Sequence, residues 1–409
     1  VPSGWPSEFI VGPSPFPITN LPYGVAALPG EPARVVVPVG RHALDLAAVA
    51  RAGLLDGTVP AAVATFAADR LDGFLAAGPT AWHAVRARLR ELLDARPTDQ
   101  VLDALVPLEA LQPALPFTVA DYVDFYSSLE HATNVGRIFR PDAEPLPPNW
   151  RWQPLGYHGR AGTILVSGTP VRRPSGQWRP PGASRPVAGP TQKLDVEVEV
   201  AFIVGVPSEL GQPVPTTAFR DHVFGVVLLN DWSARDIQSW EYQPLGPFLG
   251  KSFATTISPW VVPLDALDAA RIPPPAQDPE PATYLHCRED WALDIRLELE
   301  INGSTLSRPP YGSMYWTMPQ QLAHATSNGA RVRTGDVFAS GTVSGTDSAT
   351  RGSLLELSWD GRDPIRLDDG STRAYLEDGD CVVMRATAPG EGGTVIGFGD
   401  CAGTVLPAS

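Results

Sequence analysis

The sequence predicts an α+β protein that is mainly β. Three observations carry this expectation. Glycine (38) and proline (44) make up about a fifth of the 409 residues, a density that favours turns and short strands over a helical bundle. Helical periodicity is confined to one early stretch, between residues 42 and 95. Beyond residue 117, strand-like runs recur with turn residues between them.

The elements follow in order. Residues 1 to about 40 are Pro-rich and read as extended, ending in the strand candidate Ala33–Val39. Amphipathic helical patterns follow at His42–Leu55, Ala61–Ala77 and Pro79–Ala95, the last with a Leu89/Leu92/Leu93 face; each fits i, i+3/i+4 spacing. Thr98–Phe117 carries prolines at 107, 113 and 116 and reads as a connector. A domain boundary near 117 divides the chain into 1–117 and 118–409. In the second part, strands are expected at Thr163–Val166, Asp195–Val204, Val223–Leu229, Leu293–Ile301, Leu354–Trp359 and Cys381–Ala386. Asn302-Gly303 and Asp378-Gly379 supply turns. There is no internal repeat and no low-complexity tract.

A net charge of −14 argues against a nucleic-acid partner, which needs a basic footprint. No apolar run approaches the ~18–20 residues of a membrane span. No basic region followed by an apolar run stands at the N-terminus, so no signal peptide is expected. Three widely spaced cysteines, Cys287, Cys381 and Cys401, have neither zinc nor redox spacing and suit a reducing, cytoplasmic compartment. Of 31 basic residues only Lys193 and Lys251 are lysines. Lysine is a compact point charge with a tunable pKa, arginine a planar fork that stays charged.

Asp195-Val-Glu-Val-Glu199 alternates three carboxylates with two valines. In a strand the valines face one side and the carboxylates the other, about 6–7 Å apart. Carboxylates so close raise one another's pKa and call for a positive partner, such as a hard divalent cation, Mg²⁺ or Ca²⁺. Taken alone, the pattern also suits an edge strand with a solvated acidic face.

Three further segments carry chemistry. Asp121–Gly136 gathers Asp124, Tyr126, His131 and Asn134, followed by Arg137 and Arg140; histidine is the side chain suited to act as a base near neutral pH. Asn230–Ser252 places Asp231 at a strand end and spaces Arg235, Gln238 and Tyr242 by three and four, on one helical face. Glu356 lies among apolar strand-like residues, where it needs a partner; a histidine would serve, since a His–carboxylate pair orients and strengthens a base. Gly250-Lys251-Ser252 lacks the upstream spacing of a phosphate loop, and Gly397, Gly399 and Gly403 lie too near the C-terminus for a dinucleotide fold. Neither G-x-S-x-G nor H-E-x-x-H occurs.

Taken together, Ile18–Gly24, Asp121–Gly136, Gly156–Arg160 with Ser167–Pro170, Leu194–Val200, Asn230–Trp260, Met314–Thr317 and Ser340–Gly345 resemble the fumarylacetoacetase family across nearly the whole chain. The resemblance implies hydrolysis of 4-fumarylacetoacetate to fumarate and acetoacetate, the last step of tyrosine and phenylalanine breakdown. It implies a small SH3-like N-terminal domain, decorated here by helices, a large mixed β-sandwich roll, and a homodimer. The implied metal ligands are Asp124, Glu197, Glu199 and Asp231, with Lys251 and Thr255 completing the site and Mg²⁺ or Ca²⁺ bound. Asp195 is expected to support the site rather than touch the metal. His131, oriented by Glu356, is the implied base. Arg235, Gln238 and Lys251 stabilise the oxyanion, and Tyr126, Arg140, Tyr157, Gln238, Tyr242 and Thr342 hold a small diketo acid.

That chemistry needs an activated water, donors for a tetrahedral oxyanion and a Lewis acid for the leaving enolate. Two other readings stand beside it. One keeps the metal site but acts on acylpyruvates or related diketo acids, although those relatives usually lack the N-terminal domain and the long segment around His131. The other is a Ca²⁺-stabilised β domain that binds a ligand without turnover.

Overall fold

Val35, Val36 and Val37 are fully buried, and the β-branched run that contains them forms a strand. In the computed structural model, which describes residues 14–409, β1 (Tyr23–Ala27) and β2 (Arg34–Val39) pair antiparallel, and a turn at Gly40 returns the chain as β3 (His42–Asp45). The expectations for residues 1–13 lie outside the described residues. Asp45 caps α1 (Leu46–Arg51), its carboxylate accepting from the Ala48 N–H at 3.0 Å. The helix expected over His42–Leu55 is therefore cut short to Leu46–Arg51, because pairing with β2 claims its first four residues.

The helix expected over Ala61–Ala77 is also broken. It forms short helices at Pro60–Ala64 and Asp72–Ala76 with a tight turn between. The bend brings Phe66 and Phe74 to a ring separation of 5.0 Å, both fully buried. α2 (Pro79–Asp94) forms as expected, with Pro79 in its first turn, where no N–H is needed. Its buried stripe is Trp82, Val85, Arg86, Leu89 and Leu93. The expected connector folds in part: Thr98 caps a helix at Asp99–Asp103, and β4 (Leu105–Pro107) pairs with β3.

The remaining strands that place the site are β5 (Asp121–Phe125), β6 (Gly156–His158), β7 (Val198–Val204), β8 (Val223–Asp231), β9 (Thr255–Ile257), β10 (Trp260–Pro263), β11 (Arg296–Ile301), β12 (Asp336–Ala339), β13 (Cys381–Pro389) and β14 (Cys401–Leu406). The large sheet runs β4-β3-β2-β1-β10-β8-β7-β12-β5-β6. The N-terminal hairpins thus join the strands of the larger C-terminal part through the β1–β10 pair. A second, six-stranded sheet contains β11, β13 and β14. Its β11 hairpin turns at Asn302-Gly303, both at positive φ, as a tight hairpin turn requires. The fold is the sheet-dominated α+β arrangement expected, with a smaller N-terminal and a larger C-terminal part.

β7 lies between β8 and β12, not at an edge. Every residue from Leu194 to Val204 is buried, so the solvated-edge reading of the acidic run is wrong. Val196, Val198, Val200, Phe202 and Val204 pack into one core; Ala201 and Ile203 pack into the other, shared with the N-terminal part. Glu197 and Glu199 sit at the end of that second face. The expected continuous strand is interrupted at Val196-Glu197, where the Glu197 N–H donates to Asn230 Oδ1 at 3.1 Å instead of to a ladder partner.

Leu354–Trp359, expected as a strand, is also different. It holds a one-turn helix, Leu354–Leu357, whose N-cap Ser353 accepts from the Glu356 N–H at 3.3 Å. A serine three residues before a glutamate is a helix-start signature, and it outweighs the strand-like alternation. Among the described residues, no helix is long and apolar enough to cross a membrane.

Candidate active site

Four carboxylates converge from three strands and the break just before one of them. Asp124 lies on β5, parallel to β12 and opposite Tyr157 on β6. Glu199 lies on β7, Glu197 in the break before it, and Asp231 at the end of β8, opposite Thr255 of β9. One oxygen from each of Asp124, Glu197, Glu199 and Asp231 lies within 4.8 Å of the others, and all four residues are buried.

Two buried cations face them. Lys251 Nζ donates to Asp231 Oδ2 at 2.8 Å and pairs closely with Glu197. Arg235 Nη2 lies 2.8 Å from Glu197 Oε1. Tyr157 donates to Asp231 Oδ2 at 2.9 Å and Thr255 to Asp231 Oδ1 at 3.0 Å, and the Gly341 N–H donates to Glu199 Oε2 at 2.9 Å. Gly341 has φ +77°, and a Cβ there would sit 2.2 Å from the Phe125 carbonyl oxygen. Only glycine brings the backbone to Glu199 this way.

The electrostatics are uneven. Burial, then neighbouring carboxylates, push Asp124 and Glu199 well above the ordinary carboxylate range. Burial also pushes Glu197 up, but Lys251 and Arg235 outweigh it and hold Glu197 well below that range. Burial disfavours the charged forms of Arg235 and Lys251, and their carboxylate partners more than restore them. With all four ionised, the group would carry at least two negative charges more than Lys251 and Arg235 neutralise. Asp124 Oδ1 and Glu199 Oε1 are buried without a hydrogen-bond partner among the described residues. Buried unpaired oxygens are costly, and an oxygen-only donor set with uncompensated charge fits a hard divalent cation.

Beside this cluster, His131 and Glu356 form a buried pair. His131 is held on α3 (Leu129–Phe139), whose N-cap Ser128 accepts from the His131 N–H. Its Nδ1 lies 2.6 Å from Glu356 Oε2 and its Nε2 4.0 Å from Glu197 Oε1. Glu356 also accepts from Asn134 Nδ2, Ser344 Oγ and Ser353 Oγ, each at 2.9 Å. Burial raises the Glu356 pKa, but His131, Asn134 and Ser353 outweigh it and hold the carboxyl below its ordinary range. Sequence reasoning assigned no role to Asn134, Ser344 or Ser353; the Ser353-Leu-Leu-Glu356 signature was the one signal available.

Asp195 lies outside the four-carboxylate group. Oδ1 accepts from the N–H groups of Val196 (2.8 Å) and Leu354 (2.7 Å); Oδ2 accepts from Arg235 Nε (2.8 Å) and the Leu355 N–H (3.1 Å). It joins Arg235 to the start of the Glu356 helix. Arg235 opens α4 (Arg235–Glu241), and its Nη1 donates to Gln238 Oε1 at 3.2 Å.

The residues expected to hold substrate are less uniformly arranged. Tyr126 stacks edge-on against His131 at 5.4 Å. Arg140 ends α3 and donates to the Pro145 carbonyl at 2.8 Å. Thr342 follows Gly341, its hydroxyl buried and without a partner among the described residues. Tyr242, at the exposed end of α4, accepts from Gln243 at 3.2 Å and is 39% exposed.

Two family descriptions match the chain: "Fumarylacetoacetase N-terminal" over residues 19–116 and "Fumarylacetoacetate (FAA) hydrolase C-terminal" over residues 121–406. The chain is 47% identical to a fumarylacetoacetase from Rattus norvegicus, covering 97% of each chain. It is 48% identical to one from Oryza sativa subsp. japonica, covering 97% of this chain and 95% of that one. A solved fumarylacetoacetate hydrolase from psychrophilic Exiguobacterium antarcticum has the same fold, with a TM-score of 0.55 at 18% identity over 95% of this chain and 99% of that one.

Proposed function

This chain belongs to the fumarylacetoacetase family and is a hydrolase, and we propose that it splits 4-fumarylacetoacetate into fumarate and acetoacetate, the closing step of tyrosine and phenylalanine breakdown. In this reading Asp124, Glu197, Glu199 and Asp231 hold one divalent cation, Mg²⁺ or Ca²⁺, and His131 with Glu356 activates water. The observation that carries it is the meeting of that carboxylate group with the Nε2 edge of His131. A cation bound there would supply Lewis-acid polarisation of a substrate oxygen.

The chain's own groups account for the rest. Ionised Glu356 only accepts, so His131 Nδ1 donates to it and Nε2 is left free to take a proton. Nε2 is 4.0 Å from Glu197 Oε1, too far for a direct hydrogen bond and suited to a water between them. Glu356 then stabilises the imidazolium that forms. In this reading Arg235, Gln238 and Lys251 donate to a developing oxyanion, each well-placed donor being worth roughly 3–4 kcal/mol in a dry site. Tyr126, Tyr157, Thr342 and Arg140 are the candidates to hold the substrate's carboxylate and keto oxygens.

The same reading extends to assembly and setting. The segment after α4 exposes Leu245 (97%), Phe248 (60%) and Leu249. A contiguous exposed apolar run of this kind marks an interaction site, and a second copy forming a homodimer would cover it. Cys287, Cys381 and Cys401 are unpaired, in keeping with a reducing, cytoplasmic setting. The test of the chemistry is His131→Gln. Turnover should vanish while metal affinity stays near normal; substantial residual hydrolysis would remove His131 as the base.

A further inference from the structure

Lys193 is one of only two lysines in the chain, and the chemistry above does not use it. Its backbone carbonyl accepts from the Arg235 N–H at 2.9 Å. Its ammonium lies 2.6 Å from Asp360 Oδ1 and 5.5 Å from the centre of the Tyr375 ring. The Tyr375 hydroxyl donates to the same Asp360 oxygen.

Asp360 sits in an unusual turn. Trp359 (φ 51°), Asp360 (φ 57°) and Gly361 (φ 86°) are consecutive and all left-handed. Two of the three carry side chains, for which that conformation is strained. The turn follows directly on the helix that carries Glu356, and the Asp360 N–H donates back to the Leu355 carbonyl at 2.8 Å. Trp359 is gripped separately: Arg351 lies over its ring at 5.0 Å, while Arg351 Nη1 donates to the Glu356 carbonyl at 3.0 Å. A helix of four residues has little stability of its own. Its geometry depends on what holds its two ends, and Asp195 holds the first.

We propose that Lys193, Asp360 and Tyr375 form a clamp on the second end, positioning Glu356 and through it His131. The role rests on the His131–Glu356 reading above. A lysine suits the place because a compact ammonium can sit against both the Asp360 carboxylate and the Tyr375 face. Lys193 and Asp360 are each about one-third exposed, so their replacement leaves the core intact. None of the three is a catalytic residue; they act through the turn.

The test uses the full chain with Lys193→Met, Lys193→Arg and Asp360→Gly. Two readouts are followed: steady-state kinetics on fumarylacetoacetate, and amide exchange of residues 353–361 by mass spectrometry. Lys193→Met should lower kcat about tenfold, as a small misplacement of a reacting group does, with KM within about twofold. Exchange in that segment should rise by a similar factor. Lys193→Arg should restore most of both effects. Glycine accepts the left-handed turn without the clamp, so in an Asp360→Gly background Lys193→Met should change neither readout. Wild-type kcat and exchange in Lys193→Met would overturn the clamp, as would a loss that arginine does not restore or one matched by KM. His131→Gln, run alongside, separates the two claims: wild-type turnover there sinks the base assignment, and exchange of 353–361 alone then decides the clamp.

Discussion

Glu356→Gln is the most informative single perturbation of the proposed base. Glu356 accepts from His131, Asn134, Ser344 and Ser353, with no donor of its own. Glutamine keeps the shape but turns one oxygen into an NH₂ group. Asn134 Nδ2 donates to Oε1 and favours an oxygen there, so the new NH₂ faces His131 Nδ1. That fixes the imidazole with Nδ1 as acceptor and Nε2 protonated, the tautomer that cannot take a proton from water. The charge that stabilises the imidazolium is lost as well. Charge-assisted hydrogen bonds are worth about 1.5–3 kcal/mol, and the analogous Asp→Asn change in a serine-protease triad costs about 10⁴ in kcat. At about 1.4 kcal/mol per decade, the expected loss in kcat lies between about 10-fold, from the hydrogen bond alone, and about 10⁴-fold, from the tautomer change as well, with little change in KM. The assay is the decay of fumarylacetoacetate absorbance, with metal binding measured on the same preparation. A kcat within about threefold of wild type, with metal still bound, would refute the reasoning.

Three other outcomes follow from the same geometry. Asp124 and Glu199 have raised pKa values in the metal-free protein. Protonation therefore favours its folded state, and their contribution to stability is lost as pH rises from the ordinary values of 3.8 and 4.5 through the raised ones. A bound cation reverses this, so the gap in melting temperature between metal-loaded and chelated protein should widen from about pH 5 to 8; a constant gap would contradict it. Gly341→Ala places a Cβ against a backbone oxygen at a left-handed residue and should cost at least about 2 kcal/mol in urea unfolding. A loss below about 0.5 kcal/mol would mean that the loop tolerates a side chain. Light scattering should give twice the chain mass of 43.7 kDa, falling to one chain mass in Leu245→Asp/Phe248→Asp; a monomeric wild type would remove the homodimer reading.

The sequence makes the acidic group legible because strand alternation is a local rule. Asp195-Val-Glu-Val-Glu199 shows which side chains share a face, and an apolar run shows that Asp231 ends a strand. Local rules did not show that both faces are buried, since that depends on β8, β12 and the N-terminal part packing around β7. Glu356 was misplaced on a strand because Leu-Leu-Glu-Leu-Ser-Trp alternates well enough to look like one; its helix is set by Ser353 and by Asp195, 159 residues away. The broken helix at 61–77 has the same cause, tertiary packing of Phe66 on Phe74 overriding a favourable period. Helical spacing brought Arg235 to Gln238 but left Tyr242 beyond the helix end, exposed.

The proposed hydrolysis requires one cation held by Asp124, Glu197, Glu199 and Asp231. The direct measurement is hydrolysis of fumarylacetoacetate by chelator-treated protein, with metal content determined by elemental analysis during Mg²⁺ or Ca²⁺ titration. Turnover should be absent from the stripped protein and return in proportion to bound metal, saturating at one ion per chain. Full turnover by protein shown to be metal-free would contradict it.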